Sequence, residues 1–516
     1  MKKLLTMALV AFMLLATTAC SSGDKTSSTV ADDVLNVEVT TAPVGMHPLK
    51  TNDAPSTLVN GQMFETLYLR TPDDTSYTPL LAEEMPIFSE DGLSATIKLR
   101  KDVTFQDGTP FTAEAVAYMI DSIKDPAYGS LRASIVESIE SYEIVDDHTI
   151  VLHLSYVDGV LIAKLAHTNA CIINPKMDKE KDLMMDAAGA GTGPYQFVSS
   201  VPGSSYSLEA YEGYWGEAPE VKKVQFDVVA DESTALARLQ TGEADLYTTV
   251  SADAVNTAKN ISGYTLVAQE TSAVYYLALR SNESAKHDIM QNPEFRKAVI
   301  QSIDFDTYIE TMLGDLAARS QSIVGPKLVG YTEAMEQAGY RYDQEAAKAA
   351  IAANGWEGQT VTLFTATRDW QQDLAVYMQD QLSKVGINLE IVSEEWASFL
   401  ATGKEEKKYD MIILSWSNVT GDGQQMLQPN FSTANGVRVK YNNAEFDEMV
   451  QASVLTTDMA ERQAHMLDAV TKIQGDAVVT PVYSAKSVYV YNSDVYSNVT
   501  EDASTLFRLA EIKLVK

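Results

Sequence analysis

The sequence predicts an α/β protein built on more than one core. Three observations carry that reading. Hydrophobic periodicity switches from two to 3.6 residues within 95–123. A strand, a helix and a second strand follow one another in 224–250, and from residue 274 strand and helix patterns alternate as far as residue 416. The chain is 516 residues long. At about 150 residues per domain, that length suggests about three domains.

At the N-terminus, Lys2 and Lys3 precede an apolar run over 4–16 that is short for a bilayer span. Thr17, Thr18 and Ala19 then lead directly to Cys20. Small residues before a cysteine resemble a bacterial lipobox, although Thr17 stands where leucine is usual. The resemblance implies that residues 1–19 are a signal peptide and that Cys20 becomes the lipidated first residue. Residues 20–33 are small, polar and aperiodic, and read as a flexible tether. The expected product is a body held by lipid at the outer face of a membrane.

Within the body, 34–40 has a strand pattern, and 41–56 is irregular around Pro43, Gly45, Pro48 and Pro55. A helix over 56–67 places Leu58, Val59, Met63, Phe64 and Leu67 on one side. Ile97 and Leu99 alternate with polar residues, and Asp107-Gly108 turns the chain. Thr112 then caps a helix whose Val116, Met119, Ile120 and Ile123 share a face, and Asp125-Pro126 ends it. Two strands flank Asp146-Asp147. These acids and His148 are too closely spaced to converge on one metal ion, so a hairpin turn is expected.

GAGTGPYQF at 189–197 lacks the lysine and hydroxyl of a phosphate loop. Pro194 stands where a dinucleotide fingerprint needs glycine, and an aromatic strand pattern follows it. Strand 224–229, a cap at Asp231 or Ser233, a helix through Gln240 with Gly242 beyond it, and strand 244–250 form a β-α-β unit. Strand 274–282 precedes a helical stretch over 292–313, with Asn292 as cap and Pro293 in the first turn. A helix runs from the Asp343 cap to Gly355. Leu374, Tyr377, Met378, Leu382 and Val385 then share a helical face that Gly386 closes, before strands 387–392 and 409–416. A polar loop, SWSNVTGDGQQMLQPNF, follows.

Composition excludes some partners. The net charge of −32 would be repelled by nucleic acid and by anionic head groups. The acids are spread along the chain, as on a solubilising surface. Cys20 and Cys171 make neither a disulfide framework nor a thiolate metal site, and Cys171 is expected buried and inert.

The segment KLRKDVTFQDGTPFTAEAVAY resembles the signature of the family 5 extracellular solute-binding proteins, the peptide, dipeptide and nickel receptors of ABC importers. GTGPYQF, YEGYWGEAPEVKKVQFDVVADESTALARLQTGEADLY, VYYLALR, VGINLEI, KKYDMIILSWS and PVYSAKSVYVYNSDV resemble later parts of that family in its order, across 34–516. The resemblance implies a two-lobed periplasmic-binding-protein-like fold of type II, in the large cluster with an extra subdomain and mixed sheets in each lobe. Residues 34–58, 192–267 and 487–516 would form the core of lobe I, 59–191 the extra subdomain and 268–486 lobe II, closing on a hinge. It also implies a monomer that serves an ABC permease and its ATPase subunits and needs no cofactor.

A zwitterionic peptide buried between lobes needs a carboxylate for its ammonium and a cation for its own carboxylate. The resemblance places the first role on Asp422, in the loop after 409–416, although Gln424 and Gln425 replace a second acid common there. Trp416 either stacks on a ligand backbone or packs the core. Arg132 and Arg368 are candidates for the carboxylate, and Met46 and His47 lie in the family's first ligand loop.

The function expected is capture of a short peptide, from dipeptide to oligopeptide or glutathione-like, for import. A receptor for nickel as a metallophore or histidine complex is the alternative, although the six histidines are scattered. A lipid-anchored hydrolase would need a nucleophile–base pair or a metal motif; neither G-x-S-x-G nor H-E-x-x-H occurs. The protein is therefore expected to be a non-enzyme.

Overall fold

The computed structural model describes residues 34–515 apart from Pro72 and Val419. The expected signal peptide, Cys20 and the tether lie outside the described residues.

An eleven-stranded mixed sheet runs through the described chain. From one edge its strands are Asn388–Glu394, Thr360–Ala366, Met411–Trp416, Tyr264–Leu279, Val479–Asn492, Leu246–Tyr247, Val34–Val39, Lys223–Val228, Ser205–Ala210 and Tyr195–Val201, with Ala317–Arg319 paired off Val479–Asn492. Val34–Val39 lies parallel to both Lys223–Val228 and Leu246–Tyr247. Helix Glu232–Thr241 connects those two neighbours, so the expected β-α-β unit is present with the first strand inserted between its strands.

Two antiparallel strands, Tyr264–Leu279 and Val479–Asn492, are far longer than the usual five or six residues. Their register shifts between Glu270 and Val274. On one side of that break they join Leu246–Tyr247, and on the other Met411–Trp416. The cores divide the same way. One apolar cluster draws on residues from Leu35 to Phe226 and from Tyr489 to Ile512, and a smaller one on Val229 to Ile261 with Val488 and Val490. Two others draw on Val274 to Tyr483. The result is the expected two-lobed α/β fold, with two long strands as crossings.

A separate four-stranded antiparallel sheet, in the order Ile87–Phe88, Ser94–Lys98, Thr149–Leu154 and Ile139–Asp146, carries helix Ala113–Lys124. The strand–turn–helix pattern of the sequence is thus correct. Asp146-Asp147 sits at the hairpin between Ile139–Asp146 and Thr149–Leu154. Thr112 occupies the cap position but its side chain makes no capping bond.

Three local readings are corrected. The stretch 292–313 is not one helix: Pro293–Gln301 stops, and Asp304 caps a new turn by accepting from the Thr307 N–H at 3.0 Å. The strand expected over 244–250 is regular only at Leu246–Tyr247, with single backbone bonds continuing to Val250. The polar stretch after Met411–Trp416 is a loop only as far as Gly423, after which Gln424–Phe431 is helical.

Candidate functional site

Two cavities lie side by side. One of about 690 Å³ is bounded by helix Ala54–Met63, residues around Glu65–Arg70, His167–Cys171 and the C-terminal stretch 498–513. The other, about 630 Å³, lies between residues of 132–167, drawn from the part of the chain that carries the four-stranded sheet, and residues of 420–455 from the second half. Arg132, His167 and Thr420 line both. The walls meet near this junction. The Gly159 N–H donates to the Val454 carbonyl at 2.7 Å, and the Tyr77 hydroxyl donates to the Thr420 carbonyl at 3.1 Å. A Cβ on Gly159 would lie 2.0 Å from the Thr456 carbonyl oxygen, so only glycine permits this approach.

Of the residues expected to contact a ligand, only Arg132 lines these cavities. It immediately precedes the short turn Ala133–Val136, and its backbone N–H donates to Ser130 Oγ. Its guanidinium has no hydrogen bond or ion pair with any described residue, and its Nε is buried. Two deeply buried arginines, by contrast, are held by several backbone carbonyls each. Arg280 donates to the carbonyls of Arg438, Ser284, Glu405 and Gly403, and Arg296 to those of Ala477, Met290 and Asp476.

Asp422 meets a different geometry from the free carboxylate the sequence suggested. The residue is 0% exposed, and both oxygens accept from Nη2 of Arg462, at 2.8 and 2.9 Å. Its Oδ1 also accepts the Gln424 N–H at 3.0 Å. Arg462 is itself only 2% exposed and donates from Nε to the Ser453 carbonyl. The carboxylate is thus engaged within the protein and lines neither cavity. Its loop neighbour Thr420 does reach both. Gly421, at φ 76°, allows the close pass over Arg70; a Cβ there would lie 2.4 Å from the guanidinium carbon.

The remaining candidates are elsewhere. Trp416 is half-buried against the second-lobe core, with Nε1 buried and without a partner among the described residues. Arg368 is exposed and stacks on Trp396 at 3.5 Å. Met46 is in the first core. His47 bonds through Nε2 to Asp178 at 2.9 Å and to the Tyr128 hydroxyl at 3.0 Å. Burial opposes ionisation of Asp178, but hydrogen bonds from His47, Tyr118 and Tyr128 outweigh it and hold the carboxyl at about 2. Nothing in this network presents His47 or Met46 to either cavity.

Sequence reasoning missed His167 and the carboxamide wall. His167 stands alone in an aperiodic stretch, so no spacing signalled it. Gln424, Gln425, Gln428, Asn435 and Gln451 line the second cavity; only the first two had been noted, as missing acids. Among the described residues no group of three or more His, Cys, Asp or Glu could hold a metal ion. Cys171 lines the first cavity, is buried, and its thiol is pushed well up by burial.

Glu65 lies in the wall of the first cavity. Burial raises it to about 7, although the Trp215, Thr192 and Tyr214 side chains hydrogen-bond to it. Burial likewise raises Glu38, which faces Arg238, and Glu501 to about 7. For a carboxyl raised in the folded state, the associated stability is full below the unfolded value of 4.5 and is lost as pH rises through about 7. Glu65→Gln is therefore expected to flatten the loss of thermal stability between pH 4.5 and 7.5. Parallel melting curves of the two proteins across that window check this, and an unchanged slope would show that Glu65 does not titrate there.

Residues 76–437 match the family model described as bacterial extracellular solute-binding proteins, family 5 middle. The glutathione-binding protein GsiB of Pectobacterium atrosepticum is 27% identical over 444 residues, which is 84% of this chain and 85% of that protein. In structure, the chain is similar to HbpA2 from Haemophilus parasuis, with a TM-score of 0.83 and 21% identity over 94% of this chain and 100% of the other. It is also similar to the ABC transporter-associated periplasmic binding protein DppA from Helicobacter pylori in complex with peptide STSA. There the TM-score is 0.69 and the identity 23%, over 94% of this chain and 98% of the other.

Proposed function

We infer that this chain, which belongs to the bacterial extracellular solute-binding proteins of family 5, captures short peptides between its two lobes and delivers them to an ABC permease. The observation that carries this reading is the unpaired Arg132 guanidinium at the junction of the two cavities. The guanidinium is half-buried and its donors are not taken up by any described residue, so a carboxylate arriving from outside would pair it. Both volumes fall within the range of about 300–1,000 Å³ typical of small-molecule sites.

The rest of the second cavity suits a peptide backbone. Carboxamides both donate and accept, so Gln424, Gln425, Gln428 and Gln451 match N–H and C=O groups whatever the peptide sequence. Val160, Val454 and Leu455 add apolar area for side chains without selecting one shape. On this reading Asp422, held by Arg462, does not take the ammonium, which is left to the carboxamides and to water.

The same reading includes an anchor. Cleavage before Cys20 and lipidation of its thiol would hold the receptor at the outer membrane face beside its permease. The lipobox-like Thr17–Cys20 supports this, and no helix among the described residues is long and apolar enough to cross a membrane. The proposed product has no catalytic activity and works as a monomer.

Thermal melting of the pure protein with a panel of di- to pentapeptides tests the function. A peptide at about 100 times its Kd is expected to add about 2.7 kcal/mol of folded-state stability. No shift with any member of the panel, free glutathione included, would overturn the peptide reading.

A further inference from the structure

His167 differs from the molecule's other deeply buried histidine, His47, in leaving one ring nitrogen uncommitted. It precedes the short turn Thr168–Ala170, and its Nδ1 accepts the Asn169 N–H at 3.0 Å. A ring nitrogen that accepts carries no proton, so the neutral ring carries its proton on Nε2. The turn is itself pinned. The Asn169 side-chain amide donates to the Pro48 and Thr51 carbonyls, at 2.5 and 2.6 Å. The residue is 6% exposed and lines both cavities beside Arg132, and no described residue bonds its Nε2. The geometry is an oriented donor whose acceptor is not part of the protein's own network.

We propose that His167 Nε2–H and the Arg132 guanidinium form one carboxylate-binding subsite at the junction of the two cavities, a neutral donor beside a fixed cation. This rests on the peptide reading above and deepens it: the ligand presents a free carboxylate at the junction, from its C-terminus or from an acidic side chain. Burial and the nearby Arg132 charge hold the imidazole at about 3, so the donor stays neutral throughout the physiological range. A second cation beside Arg132 would raise the cost of the empty site. A neutral N–H adds a hydrogen bond without a second charge. Binding should therefore take up no proton on this ring, and whatever pH dependence Glu65 in the same cavity wall or the peptide amine confers from pH 5.5 to 8 should be the same in the wild type and in His167→Phe.

The test uses alanyl-alanyl-alanine, its C-terminal amide, and the amide of alanyl-aspartyl-alanine, titrated calorimetrically into the wild type, His167→Phe and His167→Gln. Phenylalanine keeps the ring volume and removes the donor, whereas glutamine returns an amide N–H. The wild type is expected to prefer the free acid over the plain amide by at least tenfold. His167→Phe should lose most of that preference and His167→Gln should retain most of it. Rescue of the plain amide's weak binding by the aspartyl side chain would assign the carboxylate to a side chain rather than to the C-terminus. An acid preference left unchanged in His167→Phe would overturn the subsite while leaving peptide capture intact. Wild-type protein that binds none of the three probes would overturn the peptide reading and this subsite together. A tenfold loss of wild-type affinity between pH 5.5 and 8, abolished in His167→Phe, would overturn the neutral-donor role.

Discussion

Asp422→Asn is expected to destabilise the folded protein by about 3–5 kcal/mol, the cost of stripping one partner from a buried ion pair. Asn is close to isosteric and keeps an acceptor for the Gln424 N–H, which Asp422 now bonds at 3.0 Å. What it removes is the negative charge opposite Arg462, whose side chain is 2% exposed and has no second anion within ion-pair distance among the described residues. The guanidinium would be left buried, with the Ser453 carbonyl as its remaining charge-independent partner. Urea unfolding measures the loss directly. Replacing both members, as Asp422→Leu with Arg462→Met, should recover much of it, because removing the pair also removes its desolvation cost. Both outcomes differ from those of a carboxylate that grips a ligand amine. In that case Asp422→Asn would leave stability nearly unchanged and weaken peptide binding at least tenfold.

The contrast shows what was legible in the sequence. The architecture was, because it depends on periodicity and punctuation that act locally. Asp231, Asn292 and Asp343 cap the helices they were expected to cap, and Gly242 and Gly355 take the left-handed backbone that ends two of them. The two halves followed from the order of strands and helices. Less legible was the length of the crossing strand Tyr264–Leu279, since its first half carries no clean alternation and is held by pairing with the distant Val479–Asn492. The site was mostly illegible for the same physical reason. Asp422 and Arg462 are 40 residues apart, and nothing in either neighbourhood announces the other. His167 and Arg132 lie 35 positions apart in segments without periodicity. Arg132 was singled out only for its loop-like polar surroundings. What makes it distinctive, a guanidinium with no partner, is a property of the folded packing and not of any spacing.

Arg132→Gln is expected to leave unfolding stability unchanged within error and to weaken binding of peptides with a free carboxylate ten- to hundredfold. Stability should hold because the guanidinium makes no hydrogen bond or ion pair with a described residue, so its removal leaves no internal group unpaired. Affinity should fall because a hydrogen bond to a charged group contributes about 1.5–3 kcal/mol, and every 1.4 kcal/mol is tenfold in Kd. Arg132→Lys separates charge from geometry. Lysine keeps the positive charge but not the planar fork that meets both carboxylate oxygens, so an intermediate loss is expected. Arg368→Gln serves as the control. Arg368 is exposed and stacked on Trp396 away from both cavities, and its loss should leave peptide affinity unchanged. If Arg368→Gln weakened binding and Arg132→Gln did not, the ligand carboxylate would lie in the second lobe and the junction of the two cavities would not be the binding seam. Calorimetric titration of the three variants with one peptide decides between these positions, and the unfolding curves show that any affinity lost is lost at the site and not through the fold.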